Sequence, residues 1–258
     1  MTSQARSPNS REMEDKYDFE EKGNGPPVIL LHGLFGTLSN WEHTLDFFSD
    51  KYRVISLQFP LYAKTFHTIE TLTDYLAGFV EFLGLERLAI FGNSLGGHVA
   101  LNYTLRESDK VACLVLAGSG GLFERGFDKN LKIHPDRKYL KQKIQEVFYD
   151  PTYATEEQIR EVEWVISTTR RKLSLVKIAK SARGYNMHDL LPQIKCPVCL
   201  VWGKEDKITP LNTAQTFKER LANAHLVYIS ECGHAPIIER PEEFNRHALA
   251  FLESLPYP

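Results

Sequence analysis

No apolar run in this 258-residue chain approaches the roughly 20 residues that a membrane-crossing helix needs. A membrane partner is therefore not expected. The polar stretch Met1 to Ser10 lacks the apolar core of a secretory signal, so a cytoplasmic location is expected. An excess of charge is also missing. The 31 basic and 33 acidic residues leave a formal charge of -2, and no basic run interleaved with aromatics offers a footprint for nucleic acid. Cysteine is scarce, with four residues at Cys113, Cys196, Cys199 and Cys232. Cys196-Pro197-Val198-Cys199 has the form C-x-x-C, but no second such pair exists to complete a metal site, and Cys199 enters the apolar run Val198 to Trp202. Reduced thiols beside a core strand are expected, with no metal and no organic cofactor. Internal repeats and low-complexity segments are absent as well.

What remains is ordinary globular material, 43% hydrophobic and 25% charged, enough for one large α/β core carrying an insertion. A small-molecule substrate, neutral or mildly charged, is the expected partner, and self-association is left open.

Residues 1 to 14 are polar and without periodicity, which predicts a disordered tail. Tyr17 and Phe19, followed by the turn Gly23-Asn24-Gly25-Pro26-Pro27, predict a short edge strand and a tight reversal. Val28 to Leu31, Tyr52 to Leu57, Leu88 to Phe91, Ala112 to Ala117, Val198 to Trp202 and Ala224 to Ile229 read as strands. Between and after them, Trp41 to Ser49 (capped by Ser39 or Asn40), Thr71 to Leu83, Thr213 to Leu221 and Glu242 to Leu255 read as helices. Strands that are continuously apolar and alternate with helices predict a mostly parallel sheet covered on both faces. The alternation breaks from Leu122 to Asp189, where three helical stretches (Tyr139 to Phe148, Glu156 to Thr169, Leu173 to Ala182) follow one another without a convincing strand. The expected organisation is thus a core of residues 15–121 and 190–258, with 122–189 inserted as a helical cap.

The chain is organised around Gly92-Asn93-Ser94-Leu95-Gly96, a strand-to-helix turn whose glycines make room for a serine in a strained conformation. Ligands of such sheets bind beyond the carboxyl ends of the strands. Three residues just past strand ends then select themselves: Ser94, Asp206 and His234, in the order nucleophile, acid, base. A neutral serine hydroxyl attacks poorly, so His234 would take its proton and return it to the leaving group, while Asp206 would hold the imidazole tautomer. Glu205 and Asp189 are nearby carboxylates that compete with Asp206 for that role. Charge on the substrate oxygen would meet the backbone N–H of Leu95, at a helix start, and that of Leu34, just after His32-Gly33.

His32-Gly33-Leu34-Phe35-Gly36, Gly92 to Gly97, Trp202-Gly203-Lys204-Glu205-Asp206 and Gly233-His234 occur in the order in which the chain resembles the α/β-hydrolase superfamily, from about Tyr17 to Leu255. Within it the nearest resemblance is to the meta-cleavage product hydrolases, which cut a carbon–carbon bond in ring-fission dienoates. Asn93, Gly118-Ser119-Gly120-Gly121, Phe148-Tyr149-Asp150 and Glu243-Phe244-Asn245 carry that likeness. Two positions depart from it. Glu163, not arginine, precedes Trp164, and Ala235, not tryptophan, follows His234; a carboxylate at 163 would repel an anionic dienoate. The loop Gln58-Phe59-Pro60-Leu61-Tyr62-Ala63 also differs from the glycine-containing family loop.

The preferred reading is a serine hydrolase that cleaves small esters through an acyl-enzyme. Carbon–carbon hydrolysis is the second reading, and a non-catalytic ligand sensor on the same fold the third. Phe35, Asn93 and Trp164 are the expected substrate-binding side chains, although Asn93 could instead hold the turn and Trp164 sits on an apolar stripe with Val162, Val165 and Ile166 that suits core packing. His32 is expected to brace the loop after the first core strand, His98 to pack locally, and Arg170-Arg171-Lys172 to form a solvated helix end.

Overall fold

The structure, a computed structural model, describes residues 16–122 and 135–257. The expected tail at 1–14 and residues 123–134 of the expected insertion lie outside the described residues. Seven strands form one sheet: β1 (Phe19–Lys22), β2 (Pro27–Leu31), β3 (Arg53–Leu57), β4 (Leu88–Asn93), β5 (Val111–Ala117), β6 (Val198–Gly203) and β7 (Ala224–Ile229). Their spatial order is β1-β3-β2-β4-β5-β6-β7. Only β1 runs antiparallel, pairing Phe19 with Leu57 and Lys22 with Val54, while the other neighbours are parallel. The expected edge strand, parallel core and reversal at Gly23–Pro27 are all present.

Strands with apolar residues on both faces need cover on both faces. One face, with Ile29, Leu31, Ile90, Leu114, Leu116, Leu200 and Trp202, packs on the helices α2 (Ile69–Phe82), α3 (Leu95–Arg106) and α7 (Leu211–Arg220) through Leu72, Leu76, Phe79, Val99 and Phe217. The other, with Leu30, Phe91, Cys113, Val115, Cys199 and Val201, packs on α1 (Glu42–Phe48) and α9 (Pro241–Glu253) through Leu45, Phe48, Phe244, Ala248 and Leu252. Cys113 and Cys199 therefore serve as core apolar groups, and burial pushes both thiols up to about 12.

Between β5 and β6 lie α4 (Arg137–Gln145), α5 (Glu156–Ile166) and α6 (Thr169–Gly184), and among the described residues of this segment there is no strand. Each helix begins at a short polar side chain. Asp136 accepts from the Tyr139 N–H at 2.8 Å, Thr155 from Gln158 at 3.2 Å, and Thr168 from Arg171 at 3.3 Å. Among the described residues no helix is long and apolar enough to cross a membrane.

The start of α1 differs from expectation. A 3-10 turn, Leu38–Trp41, precedes it, because the Asn40 side chain accepts from the Thr37 N–H at 2.7 Å and draws the chain into a turn before the helix can begin. Asn40 thus works backwards on Thr37 instead of capping a helix that starts at Trp41.

The turn between β4 and α3 brings the helix start against β2. A Cβ added at Gly96 would stand 2.1 Å from the Leu31 carbonyl oxygen, a backbone atom held in the sheet. Gly96→Ala is expected to destabilise the protein by about 3 kcal/mol, since strand or helix must move apart. Urea unfolding checks this; a change under about 0.5 kcal/mol would mean that the contact relaxes freely.

Candidate active site

Ser94 follows β4 and opens α3 with φ 53° and ψ -115°, left-handed backbone that L residues rarely adopt. Three backbone bonds impose it. The Ser94 N–H donates to the Ala117 carbonyl at 3.1 Å, and its own carbonyl accepts from Gly120 at 2.9 Å and His98 at 3.2 Å. Ser94 is half-buried. The N–H of Leu95 opens α3 beside it, and the chain at Gly33 runs alongside, where an added Cβ would lie 3.3 Å from the Ser94 Cβ. Neither the Leu34 N–H nor the Leu95 N–H donates to another described residue. The Leu95 N–H at the start of α3 and the Leu34 N–H just after Gly33 are thus backbone donors without a described partner, of the kind a developing oxyanion needs.

His32 fixes the Gly33 side of this arrangement. The Phe59 N–H and the Gln58 side-chain amide both donate to its Nε2 at 2.9 Å, which leaves Nδ1–H to donate to the Gly33 carbonyl at 2.7 Å. Complete burial pushes the imidazole down to about 4, against a smaller opposing effect of the Gly33 carbonyl. His32 is therefore neutral at pH 7 and braces the loop, as expected. The unusual Gln58 supplies one of the donors that set its tautomer.

Past the end of β6, Asp206 is buried with all its bonding directed inward. Oδ1 accepts from the N–H groups of Ile208 (2.8 Å) and Thr209 (2.9 Å), and Oδ2 accepts from Thr209 Oγ1 at 2.7 Å. Oδ2 also lies 2.9 Å from His234 Nδ1. Four bonds hold the carboxylate in one orientation against one ring nitrogen. With Thr209 donating to Asp206, its Oγ1, 3.2 Å from Nδ1, is a second acceptor for the same imidazole hydrogen. Nδ1 then carries the proton, and Nε2 keeps its lone pair for a proton from elsewhere.

His234, past β7, is anchored by its backbone N–H, which donates to the Val147 carbonyl at 2.8 Å. Gly118, at φ +50°, admits it, for an added Cβ there would stand 2.8 Å from the His234 carbonyl oxygen and 3.0 Å from Nδ1. Asn93 ties the histidine to the serine turn. Its side-chain amide donates to the carbonyls of Ala117 (2.9 Å) and His234 (3.2 Å). Its NH2 group is thus committed to the scaffold, which agrees with the turn-holding alternative. Among the described residues no hydrogen bond joins Ser94 Oγ to His234; backbone and Asn93 make the connection between them.

Of the competing carboxylates, Asp189 is exposed and pairs with His188 at 2.9 Å, and Glu205 accepts from the Cys232 N–H at 3.0 Å. Only Asp206 of the three reaches His234. Thr209 is the site residue that the sequence reading misses, although an aspartate followed three residues later by threonine is a recognisable side-chain-to-backbone turn.

The outer residues fall differently from expectation. Trp164 is 54% exposed and not part of a core, because Val165 and Ile159 form the buried side of α5. Its ring meets Tyr62 edge-on at 5.6 Å, and the Arg171 guanidinium lies 3.8 Å over it. Arg171 also donates to the Trp164 carbonyl at 2.9 Å, so this arginine is a stacked residue at the start of α6 and not a freely solvated helix end. Glu163 is paired with Arg137, which also holds Glu156 at 2.5 Å. The carboxylate expected to repel an anion is thereby neutralised. Phe35 is 51% exposed, and His98 is buried against Tyr185 with ring centroids 5.7 Å apart.

A model of the alpha/beta hydrolase family matches residues 28–247. The chain is 30% identical, over 91% of its length and 90% of the relative's, to a 2-hydroxy-6-oxo-6-phenylhexa-2,4-dienoate hydrolase of Comamonas testosteroni. It is 27% identical, over 87% of its length and 95% of the relative's, to a pimeloyl-[acyl-carrier protein] methyl ester esterase of Nitrosomonas europaea. Among solved structures it resembles an alpha/beta hydrolase enzyme from the sediment metagenome of the Mar Chica lagoon, Morocco, at TM-score 0.77 and 35% identity, covering 93% of this chain and 95% of that one.

The histidines make stability depend on pH. His32 and His98 are both pushed down to about 4 by burial from an ordinary value of 6.5. Between these values the unfolded chain binds more protons, so stability is fully present above pH 6.5 and is lost as the pH falls toward 4. Each ring accounts for up to about 3 kcal/mol. Urea unfolding at about pH 7 and about pH 5, above most carboxylate titration, is expected to show the loss; equal stability at both would contradict the burial of neutral rings.

Proposed function

The chain belongs to the alpha/beta hydrolase family, and from that premise we propose that it hydrolyses a small ester through an acyl-enzyme formed on Ser94. His234 Nε2 takes the Ser94 proton as Oγ attacks the ester carbonyl, and gives it to the departing alkoxide. The tetrahedral oxyanion is held by the N–H groups of Leu34 and Leu95, a contribution worth about 10²- to 10³-fold per donor in comparable sites. Water, deprotonated by the same imidazole, then releases the acid. Asp206 keeps the proton on Nδ1 and stabilises the imidazolium that each proton transfer creates. The helical segment at 135–189 acts as a cap, with Trp164 and Tyr62 at its contact with the loop after β3 and Phe35 near the oxyanion donors.

The observation that carries this reading is the buried Asp206, whose oxygens each have fixed donors and whose Oδ2 lies 2.9 Å from the one nitrogen of His234 that a base must keep protonated. No metal or organic cofactor enters the proposed chemistry.

Carbon–carbon hydrolysis of a dienoate is the second reading. It is favoured by the 30% identity to the Comamonas dienoate hydrolase and by the charges of the helical segment. Arg137 neutralises Glu163, whereas Arg171 has no carboxylate partner among the described residues.

Fluorophosphonate labelling followed by peptide mapping is expected to place the adduct on Ser94. Ser94→Ala should abolish p-nitrophenyl acetate hydrolysis, and Asp206→Asn should slow it about 10⁴-fold by presenting the wrong tautomer. Parental activity in Ser94→Ala would refute the proposal. A dienoate turned over with kcat/KM more than about tenfold above any ester would instead favour the second reading. Tight ligand binding that is unchanged by Ser94→Ala, without turnover of either class, would point to a sensor.

A further inference from the structure

Glu239, at the end of α8 (Pro236–Glu239), is only 1% exposed. A buried carboxylate is costly unless its oxygens are satisfied. Here both are, and by backbone donors from two separate parts of the chain. Oε2 accepts from the N–H of Gly233, the residue before His234, at 2.6 Å, and Oε1 accepts from the N–H of Asp150 at 2.7 Å. Asp150 ends the stretch that leads from α4 to the 3-10 turn Pro151–Tyr153 in the helical segment. The same two pieces of chain meet again where the His234 N–H donates to Val147 at 2.8 Å, and Phe148, Ala154 and Ala235 form a small apolar core around the junction.

Two converging N–H donors require an acceptor on each oxygen. A carboxylate supplies both, whereas the isosteric amide would turn an NH2 group against one of them. Glu205 offers an internal contrast, since its side chain accepts from the Cys232 N–H at 3.0 Å on the same loop without reaching the helical segment.

We propose that Glu239 is a positioning residue that fastens the 147–150 stretch to the histidine loop, so that the placement of the helical segment and the position of the His234 imidazole are set together. This rests on His234 acting as the base of the proposed reaction. Displacing one partner frees the other, and a base misplaced by about an ångström can cost up to about 10²-fold in rate.

The full chain carrying Glu239→Gln is compared with parental protein and with Glu205→Gln. Three readouts are taken: p-nitrophenyl acetate kinetics, the rate of fluorophosphonate labelling at Ser94, and amide exchange at single residues. For Glu239→Gln, kcat and the labelling rate are expected to fall together by about tenfold or more, with KM within about twofold. Exchange at Asp150 and Gly233 should rise in concert, whereas Glu205→Gln should loosen Cys232 and leave 147–150 protected. Glu239→Asp, which keeps the charge but cannot span both donors, should show the same coupled loss and serves if the amide variant does not fold. Parental kcat in Glu239→Gln, exchange raised at one partner alone, or a rate loss no larger than the unfolded fraction would overturn the proposal. So would failure of both variants to fold, which would make Glu239 a folding residue. Parental labelling in Glu239→Gln with none in Ser94→Ala defeats the positioning role and leaves the hydrolase reading standing; an adduct on the parental chain at a residue other than Ser94 defeats the hydrolase reading itself.

Discussion

A carboxylate buried at the end of β6 is costly unless its oxygens are given donors, and the site depends on how Asp206 obtains them. Three come from its own turn, through Ile208 and Thr209, and they exhaust every direction but one. The remaining direction points at His234 Nδ1. The imidazole is oriented because the carboxylate is, and the carboxylate is oriented by a local turn fixed in sequence. The serine side is held independently. Left-handed backbone at Ser94 is imposed by hydrogen bonds to Ala117, Gly120 and His98, which belong to β5, the loop after it and α3. Strain at one residue is thus balanced by bonds from three others.

The neutral His32 belongs to the same set of fixed parts. Phe59 and Gln58 saturate one ring nitrogen and force the other onto Gly33, so the loop that carries Leu34 is held by a ring that burial keeps uncharged. The N–H groups of Leu95 and Leu34 therefore have rigid supports: helix α3 behind the first and the braced loop behind the second.

Much of this is legible in the sequence. Apolar runs give the strands because a parallel sheet buries both faces, and the motif residues fall just past strand ends where the topology collects them. Asp206 and His234 are readable for that reason, and the hydrogen bond between them follows. The limits are equally physical. Trp164 shares a stripe with Val162, Val165 and Ile166, but the tryptophan side of α5 faces outward, where its ring touches Arg171 and Tyr62. Residue spacing specifies a helix face and not what lies opposite it. Glu163 reads as a repelling charge until Arg137, 26 residues away, is seen to neutralise it. Asn40 accepts from the nearby Thr37 N–H and Thr209 Oγ1 donates to the nearby Asp206 carboxylate, short-range bonds that residue spacing alone does not fix. Glu239 joins Gly233 to an Asp150 that lies 89 residues from Glu239 itself, and no local pattern reports such a bond.

Asp206 dictates the tautomer of His234 in the proposed site, and side-chain nitrogen NMR of histidine-labelled protein measures that tautomer directly. With His234 neutral, a proton on Nδ1, a bare Nε2, and loss of that preference in Asp206→Asn are expected. A neutral ring protonated at Nε2 in the parental protein would contradict it.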